Sequence, residues 1–336
     1  MPQSNRPVVN RRIGGIYCRS KPARDIKLAG NSGMAQLRSD LRYQGSLVSI
    51  TDVSCRPSSR RLGGEEEVER PEIVFPRAGV FVRHTGFEEI VADANQVLFF
   101  NGHDVYRVSH PILAGDDCTS FVFSADVVAE VLDQYHQVIR ADPQRPYRLG
   151  HGLLRLQTIA RLQHLRQRLS DPLATGLEVE ERALELLDHV LADIDGQPTE
   201  DHRQRTDTVR MRRRWSERVR LLLAKQPEAK FSLAEIARKV YCSPFHLSRI
   251  FRATVGSSIH QYQLRLRLAL ALDRLADGSE NLTELGLALG FSSHSHFTAA
   301  FQQAFGFSPS NFRRRAMRRR IRKLSKILKA QSSIPN

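Results

Sequence analysis

The chain is poor in cysteine, with four in 336 residues. Cys18, Cys55, Cys118 and Cys242 lie far apart and form no CxxC pair, which argues against a zinc site or a disulfide framework and fits a reducing cytoplasm. No apolar run approaches the ~18–20 residues needed to cross a bilayer, so no membrane partner is expected. The basic N-terminus has no apolar block behind it and does not read as a secretory signal. Met34, just before the first regular pattern, is a candidate start codon.

Acidic residues are scarce outside the middle of the chain. Residues 1–70 hold 13 Lys and Arg against 7 Asp and Glu, and residues 203–336 hold 27 against 8. Residues 71–202 reverse the balance, with 11 against 21. One basic module for a polyanion and one acidic module with a different task are implied.

Residues 1–45 lack sustained periodicity and read as mostly disordered. From 46 to 124, short apolar runs such as Ile73–Phe75, Val97–Phe100 and Thr119–Phe123 predict strands. The stretch 56–70, Pro76, Gly86, Asp93-Ala94-Asn95, Asn101-Gly102 and Ala114–Asp117 are the expected turns between them. A small β-sandwich or barrel follows from that rhythm. Helical spacing starts after Ser124, an N-cap candidate, and continues over about 151–169 and 175–194. These wide apolar stripes suit either internal core or a homodimer interface within 126–194. Residues 196–209 read as a linker, 210–315 as a helical module, and 316–336 as a basic tail.

The helical module contains a repeat. AEIARKVYCSPFHLSRIFRATVG (234–256) matches TELGLALGFSSHSHFTAAFQQAFG (283–306), each a short helix, a polar turn and a second helix closed by Gly. Ile236, Ala237 and Val240, then Leu247, Ile250 and Phe251, form the inner stripe of the first copy. Ser243 suits an N-cap with Pro244 behind it. Phe245, Ser248, Arg249 and Arg252 remain outward, as a recognition helix in a major groove requires. Arg249 can pair bidentately with guanine, or it can grip phosphate. In the second copy Ser292 or Ser293 caps the helix, and His294, Ser295, His296, Thr298 and Ala299 face outward. Ala299 can at most touch a thymine methyl, so the second half-site is expected to be read more weakly. No carboxylate or thiol near His294 and His296 completes a metal site. Between the copies, residues 258–276 predict a helix of nearly 30 Å, long enough to set two recognition helices in successive grooves of double-stranded DNA.

Gly290-Phe291-Ser292, Ser295, Phe297, Phe301, Phe305–Pro309 and Phe312-Arg313, with Leu233–Ala237, Leu247–Phe251, Gly256 and Tyr262, resemble the AraC-type transcriptional regulators over about 210–313. The resemblance implies DNA contacts at Phe245, Ser248, Arg249, His294, Ser295, His296 and Ala299, with RNA polymerase as a partner. It departs where Ala299 replaces a polar or basic group and where the basic tail runs on. Upstream, the strands and helices are similar to the cupin-like β-barrel with packed helices that many such regulators carry for a small-molecule effector. That implies a multidomain chain with an α+β sensing domain over 46–195 and an all-α double helix-turn-helix domain. Phe81, Phe99, His103 and Tyr106 are the candidate effector contacts, and no cofactor is implied.

Two other classes compete. A cupin-type metalloenzyme would draw on His84, Glu88, Glu89, His103 and His110, but no HxH pair occurs there. A cysteine-based alkyl acceptor would need clustered cysteines. A protein that coats DNA by charge alone would not need distinct exposed residues in two copies. An activator or repressor in the cytoplasm, associated with the nucleoid, is the expected function.

Overall fold

Alternating apolar residues between turns build a strand-rich first half. The computed structural model describes residues 24–26, 36–86, 88–131, 134–135, 142–195, 197, 207–277 and 281–317. One antiparallel sheet runs in the order β1 (Arg24–Ile26), β2 (Gln36–Gln44), β3 (Val48–Arg56), β10 (Asp116–Phe123), β5 (Glu72–Gly79), β8 (Gln96–Phe100), β11 (His151–Leu153). A second has the order β4 (Glu66–Glu67), β9 (Val105–Ser109), β6 (Phe81–Thr85), β7 (Glu88–Ala92). Ile50, Phe75, Phe99 and Phe121 of the first sheet share a buried cluster with Val82 and Val91 of the second. Among the described residues the strands form these two sheets, not one closed ring.

Four expectations need correction. Disorder up to residue 45 fails at its end, because β2 pairs along β3 from Gln36–Arg56 to Gln44–Ser49. Its residues are exposed or half-exposed, so backbone pairing specifies it and no apolar alternation reveals it. The loop over 56–70 contains β4. Pro76 lies within β5 at a register shift opposite Cys118, where its missing N–H is tolerated. The helix expected from 151 begins at Leu156, since Gly152 sits in β11 against Ile194 with no room for a Cβ. Met34, the linker at 196 and 198–206, and the tail from 318 lie outside the described residues.

Ser124 caps α1 (Ala125–Glu130) by accepting from the Val127 N–H. In α2 (Leu156–Leu169) and α3 (Gly176–Ile194), Ile159, Leu162, Leu165, Ala183, Leu186, Leu187, Val190 and Leu191 are buried within this chain. Most of these stripes over 126–194 pack as internal core, while Leu177 remains exposed. The helical second half follows, with α4 (Asp207–Lys225), α5 (Leu233–Val240), α6 (Pro244–Val255), α7 (Ile259–Asp277), α8 (Leu282–Ala288) and α9 (His294–Phe305). A further helix occupies 309–317.

The halves meet through buried polar pairs. Glu217 of α4 accepts from the Val91 N–H at 2.8 Å, and Arg220 donates to the Val91 carbonyl at 3.3 Å, covering the open side of the edge strand β7. Tyr262 of α7 is fully buried, donates to Asp93 Oδ2 at 2.7 Å and accepts from Arg220 Nε at 3.2 Å. Asn95 donates to the Tyr262 carbonyl at 3.1 Å. Nearby, Asp273 of α7 receives Arg77 of β5 at 3.2 Å, Arg166 of α2 at 3.1 Å and Gln163 at 2.7 Å. Burial raises the Asp93 and Glu217 carboxyl pKa values against the pull of Arg220.

Two outcomes follow for stability. Tyr262→Phe leaves a buried carboxylate and a guanidinium each short of a partner, so it lowers unfolding free energy by about 1–3 kcal/mol. Denaturant titration checks this, and an unchanged midpoint refutes the network's role. The second outcome concerns His151, whose Nδ1 is buried without a hydrogen-bond partner. Burial first, then Arg220, Arg83 and Arg213, hold its imidazole well below the usual 6.5. As pH falls through about 6.5, the unfolded chain takes up a proton that the folded chain refuses, and stability is lost until the depressed folded value is passed. Stability curves between about pH 7 and pH 5 should slope less for His151→Gln than for the unaltered chain; parallel curves would remove His151 from the account.

Candidate nucleic-acid interface

The first helix pair is built by local capping. Ser232 accepts from the Glu235 N–H at 3.2 Å, and Glu235 accepts from the Ser232 N–H at 2.7 Å, closing a capping box on α5. Tyr241 ends α5 in the left-handed region at φ 59°. Ser243 then caps α6 by accepting from the His246 N–H at 3.3 Å, and Gly256, at φ 78°, closes the helix. Leu247, Ile250 and Phe251 face inward. Phe245, Ser248, Arg249 and Arg252 are all exposed, as their spacing predicts. The Arg249 guanidinium lies 5.6 Å from the Phe245 ring centroid. Such stacking contributes about 0.5–1 kcal/mol at an exposed site and holds the donor fork near the start of the helix.

The second pair repeats the plan with different side chains. Asn281 caps α8 by accepting from the Thr283 N–H at 2.8 Å, and Ser293 caps α9 by accepting from the His296 N–H at 3.1 Å. Gly290 is required between them: its φ is 83°, and a Cβ there would collide with the Glu228 carbonyl. His294, Ser295, His296 and Ala299 are exposed. Thr298 is only half-exposed, with its hydroxyl 3.4 Å from His294 Nε2. His296 Nδ1 lies 3.0 Å from the Ser292 hydroxyl, and its ring meets Phe291 edge-on at 5.6 Å. Both imidazoles are thus steered by their own chain, and the outer face carries no guanidinium at the Ala299 position.

Tyr241 was not anticipated. It is 86% exposed at the end of α5, in the turn before α6. Turn position concealed it, because a residue between two helices reads as a connector.

The effector candidates divide between two apolar clusters and the surface. Phe99 belongs to the main core and packs on Tyr147 at 5.0 Å, whereas Phe81 and Tyr106 share a separate cluster with Phe100 and Cys118. Tyr106 packs on Phe100 and donates to Glu66 at 2.9 Å. His103 is exposed in a left-handed turn, 2.9 Å from Glu67. A small cavity lies elsewhere, where Phe75 and Gln96 of the sheets meet Leu162 and Gln163 of α2 and Ala269 of α7. Of the enzyme candidates, His84 bonds Ser109 at 2.8 Å and His110 contacts Asp116 at 2.9 Å. Glu88 sits 3.8 Å from Arg213, and Glu89 sits 3.8 Å from His84.

Residues 236–315 match the family described as a helix-turn-helix domain. The chain is 37% identical over 89 residues to an HTH-type transcriptional regulator, ArgR, of Pseudomonas aeruginosa, covering 26% of this chain and 27% of that one. It is 33% identical over 85 residues to the probable transcriptional regulator LumQ of Photobacterium leiognathi, covering 25% and 34% respectively. A putative AraC-like transcription regulator of Streptomyces antibioticus matches at 30% over 95 residues, 28% of this chain and 31% of that protein. The chain thus spans about a third or less of the length of these curated relatives. Among solved structures, an AraC-type regulator from Chromobacterium violaceum aligns at 30% identity over 31% of this chain and 93% of its own, with a TM-score of 0.30. ToxT from Vibrio cholerae aligns at 8% identity over 80% and 98%, with a TM-score of 0.34.

Packing between α8 and α9 is tight at one point. A Cβ on Gly286 would lie 3.0 Å from the Phe297 Cβ and 3.1 Å from its Cγ. Gly286→Ala should therefore destabilise the chain by about 1–3 kcal/mol through overpacking. In a Phe297→Ala background, which lacks Cγ and the ring, Gly286→Ala should cost less. Thermal unfolding of both single variants and the double variant checks the coupling, and strict additivity would deny the contact.

Proposed function

We propose that this chain, whose C-terminal module belongs to the AraC-type transcriptional regulators, reads a split promoter site through α6 and α9 in successive major grooves. The observation that carries the reading is the exposed Phe245–Arg249 pair at the start of a capped helix, repeated in plan by α9 within a strongly basic module. Base-edge contacts are assigned to Arg249, Ser248 and Phe245, with Arg252 on phosphate. On α9, His294, Ser295 and His296 contact the second half-site, while Ala299 and Thr298 add little discrimination. Two helix-turn-helix motifs (232–256 and 282–306) and a 19-residue α7 between them let one monomer span both boxes.

The sheet domain, read as a cupin-like sensor, supplies the regulatory input. RNA polymerase is the downstream partner, and the chain works at the nucleoid in the cytoplasm without catalysing a reaction.

Selection of genomic fragments on the full-length protein at near-physiological salt tests this. Two short boxes about ten base pairs apart should be recovered. Arg249→Ala should erase preference at one base pair, at a cost of about 1–3 kcal/mol. Uniform weakening on every sequence would reduce Arg249 to a phosphate clamp. Recovery of random fragments, with affinity falling alike on all DNA as salt rises, would replace the reading with a coating protein.

A further inference from the structure

The sheet domain gathers three metal-ligating side chains from three separate segments. Cys55 in β3 stands directly opposite Asp116 in β10, so both side chains project from the same face. His110, just after β9, brings Nε2 to 2.9 Å from Asp116 Oδ1. The Cys55 sulfur, a His110 nitrogen and an Asp116 oxygen all lie within 4.8 Å of one another. A shared ion bonded at about 2.0–2.3 Å to each needs only rotamer-scale closure of that span.

Other features point the same way. Cys55 and Asp116 are 8% and 5% exposed. Asp116 Oδ1 is buried with His110 Nε2 at 2.9 Å, so the imidazole and the carboxylate are already drawn together at this point. Gly115, at φ 77°, has no space for a Cβ against the Cys55 carbonyl, so the turn presses Asp116 onto β3. Cys118 donates its S–H to Asp116 Oδ2 at 3.4 Å and orients the carboxylate from behind. The neighbouring arginines bond other groups than the Asp116 carboxylate: Arg56 pairs with Asp117 and donates to the Cys55 and Asp116 carbonyls, and Arg77 pairs with Asp273.

We propose that Cys55, His110 and Asp116 form a binding site for a thiophilic divalent transition-metal ion of the zinc class. Thiolate, imidazole and carboxylate together suit such an ion and do not suit magnesium or calcium. Cys55 binds as the thiolate and His110 as the neutral imidazole, and each gives its proton to solvent. Three protein ligands leave a fourth position for water. This inference is independent of how the helical module reads DNA.

The test uses the full-length, reduced protein after dialysis against a chelator. Titration with Zn²⁺ against a coloured indicator should show one tight equivalent, and Co²⁺ should give a sulfur-to-metal charge-transfer band. Cys55→Ser and His110→Gln should each weaken binding at least about tenfold and remove or displace the band. Cys18→Ser and Cys242→Ser should leave both unchanged. A cobalt spectrum without the sulfur band, or full affinity in the Cys55 variant, overturns the site. Because the variants touch a buried region, thiol alkylation of the unaltered chain provides a second reading. Zn²⁺ should slow modification of Cys55 and a chelator should restore it; an unchanged rate overturns the proposal.

Discussion

The Tyr262 hydroxyl joins the two halves of the chain. Its ring meets Phe251 of α6 edge-on at 5.6 Å, while its oxygen reaches Asp93 in a turn of the sheet domain. One side chain therefore links the core beneath α6 to the sheet. Arg220 completes the set, and no member is exposed enough for water to replace a lost partner. Asp93 and Arg220 are acceptable in the interior only as a hydrogen-bonded group, since breaking a buried pair leaves an uncompensated charge. The position of α7, and of the helices it carries, rests on that condition.

The two helix pairs reach the same geometry by compensating exchanges. Where the first pair sets Ala237 before Leu247, the second sets Gly286 before Phe297, and the glycine makes room for the larger ring. Tyr241 and Gly290 occupy equivalent turns, both left-handed. Tyr241 can tolerate that conformation in solvent, whereas Gly290 is confined by the Glu228 backbone. Interior differences are thus balanced within each pair. The outer faces are not balanced: a stacked guanidinium on α6 faces a pair of self-bonded imidazoles on α9. On the proposed function, that contrast is the ground for expecting unequal readout of the two half-sites.

Local signals in the sequence revealed the helical module. Ser243, Pro244, Gly256, Ser293 and Gly306 are read from neighbours a few residues away, and the structure places each in the expected cap. What escaped depends on partners remote in sequence. Asp93 and Asn95 look like turn residues in solvent, yet both are 0% exposed because α7 lies on them. β2 carries too little apolar pattern to announce itself. Cysteine spacing argued against a metal site, but β3–β10 pairing brings Cys55 beside Asp116 across 61 positions. Chain spacing detects ligands on one loop and misses ligands assembled by a sheet.

Although Arg213 beside Glu88 and Arg220 beside Asp93 keep the charge plan of the molecule, other contacts at the junction invert it. The sheet domain and its helices carry the acidic excess, 21 Asp and Glu against 11 Lys and Arg over 71–202, and the remainder is strongly basic. Simple attraction between the halves would spend the basic surface on the acidic one. Instead, at Asp273 the acidic side contributes arginines, Arg77 and Arg166, and the basic module contributes the carboxylate. Glu217 repeats the inversion by binding the β7 backbone. Docking by a few buried, directed pairs resists screening by salt more than diffuse surface attraction does. It also leaves Arg249 leaning on Phe245 rather than on a carboxylate, so the positive charge of the helical module remains available to a polyanion.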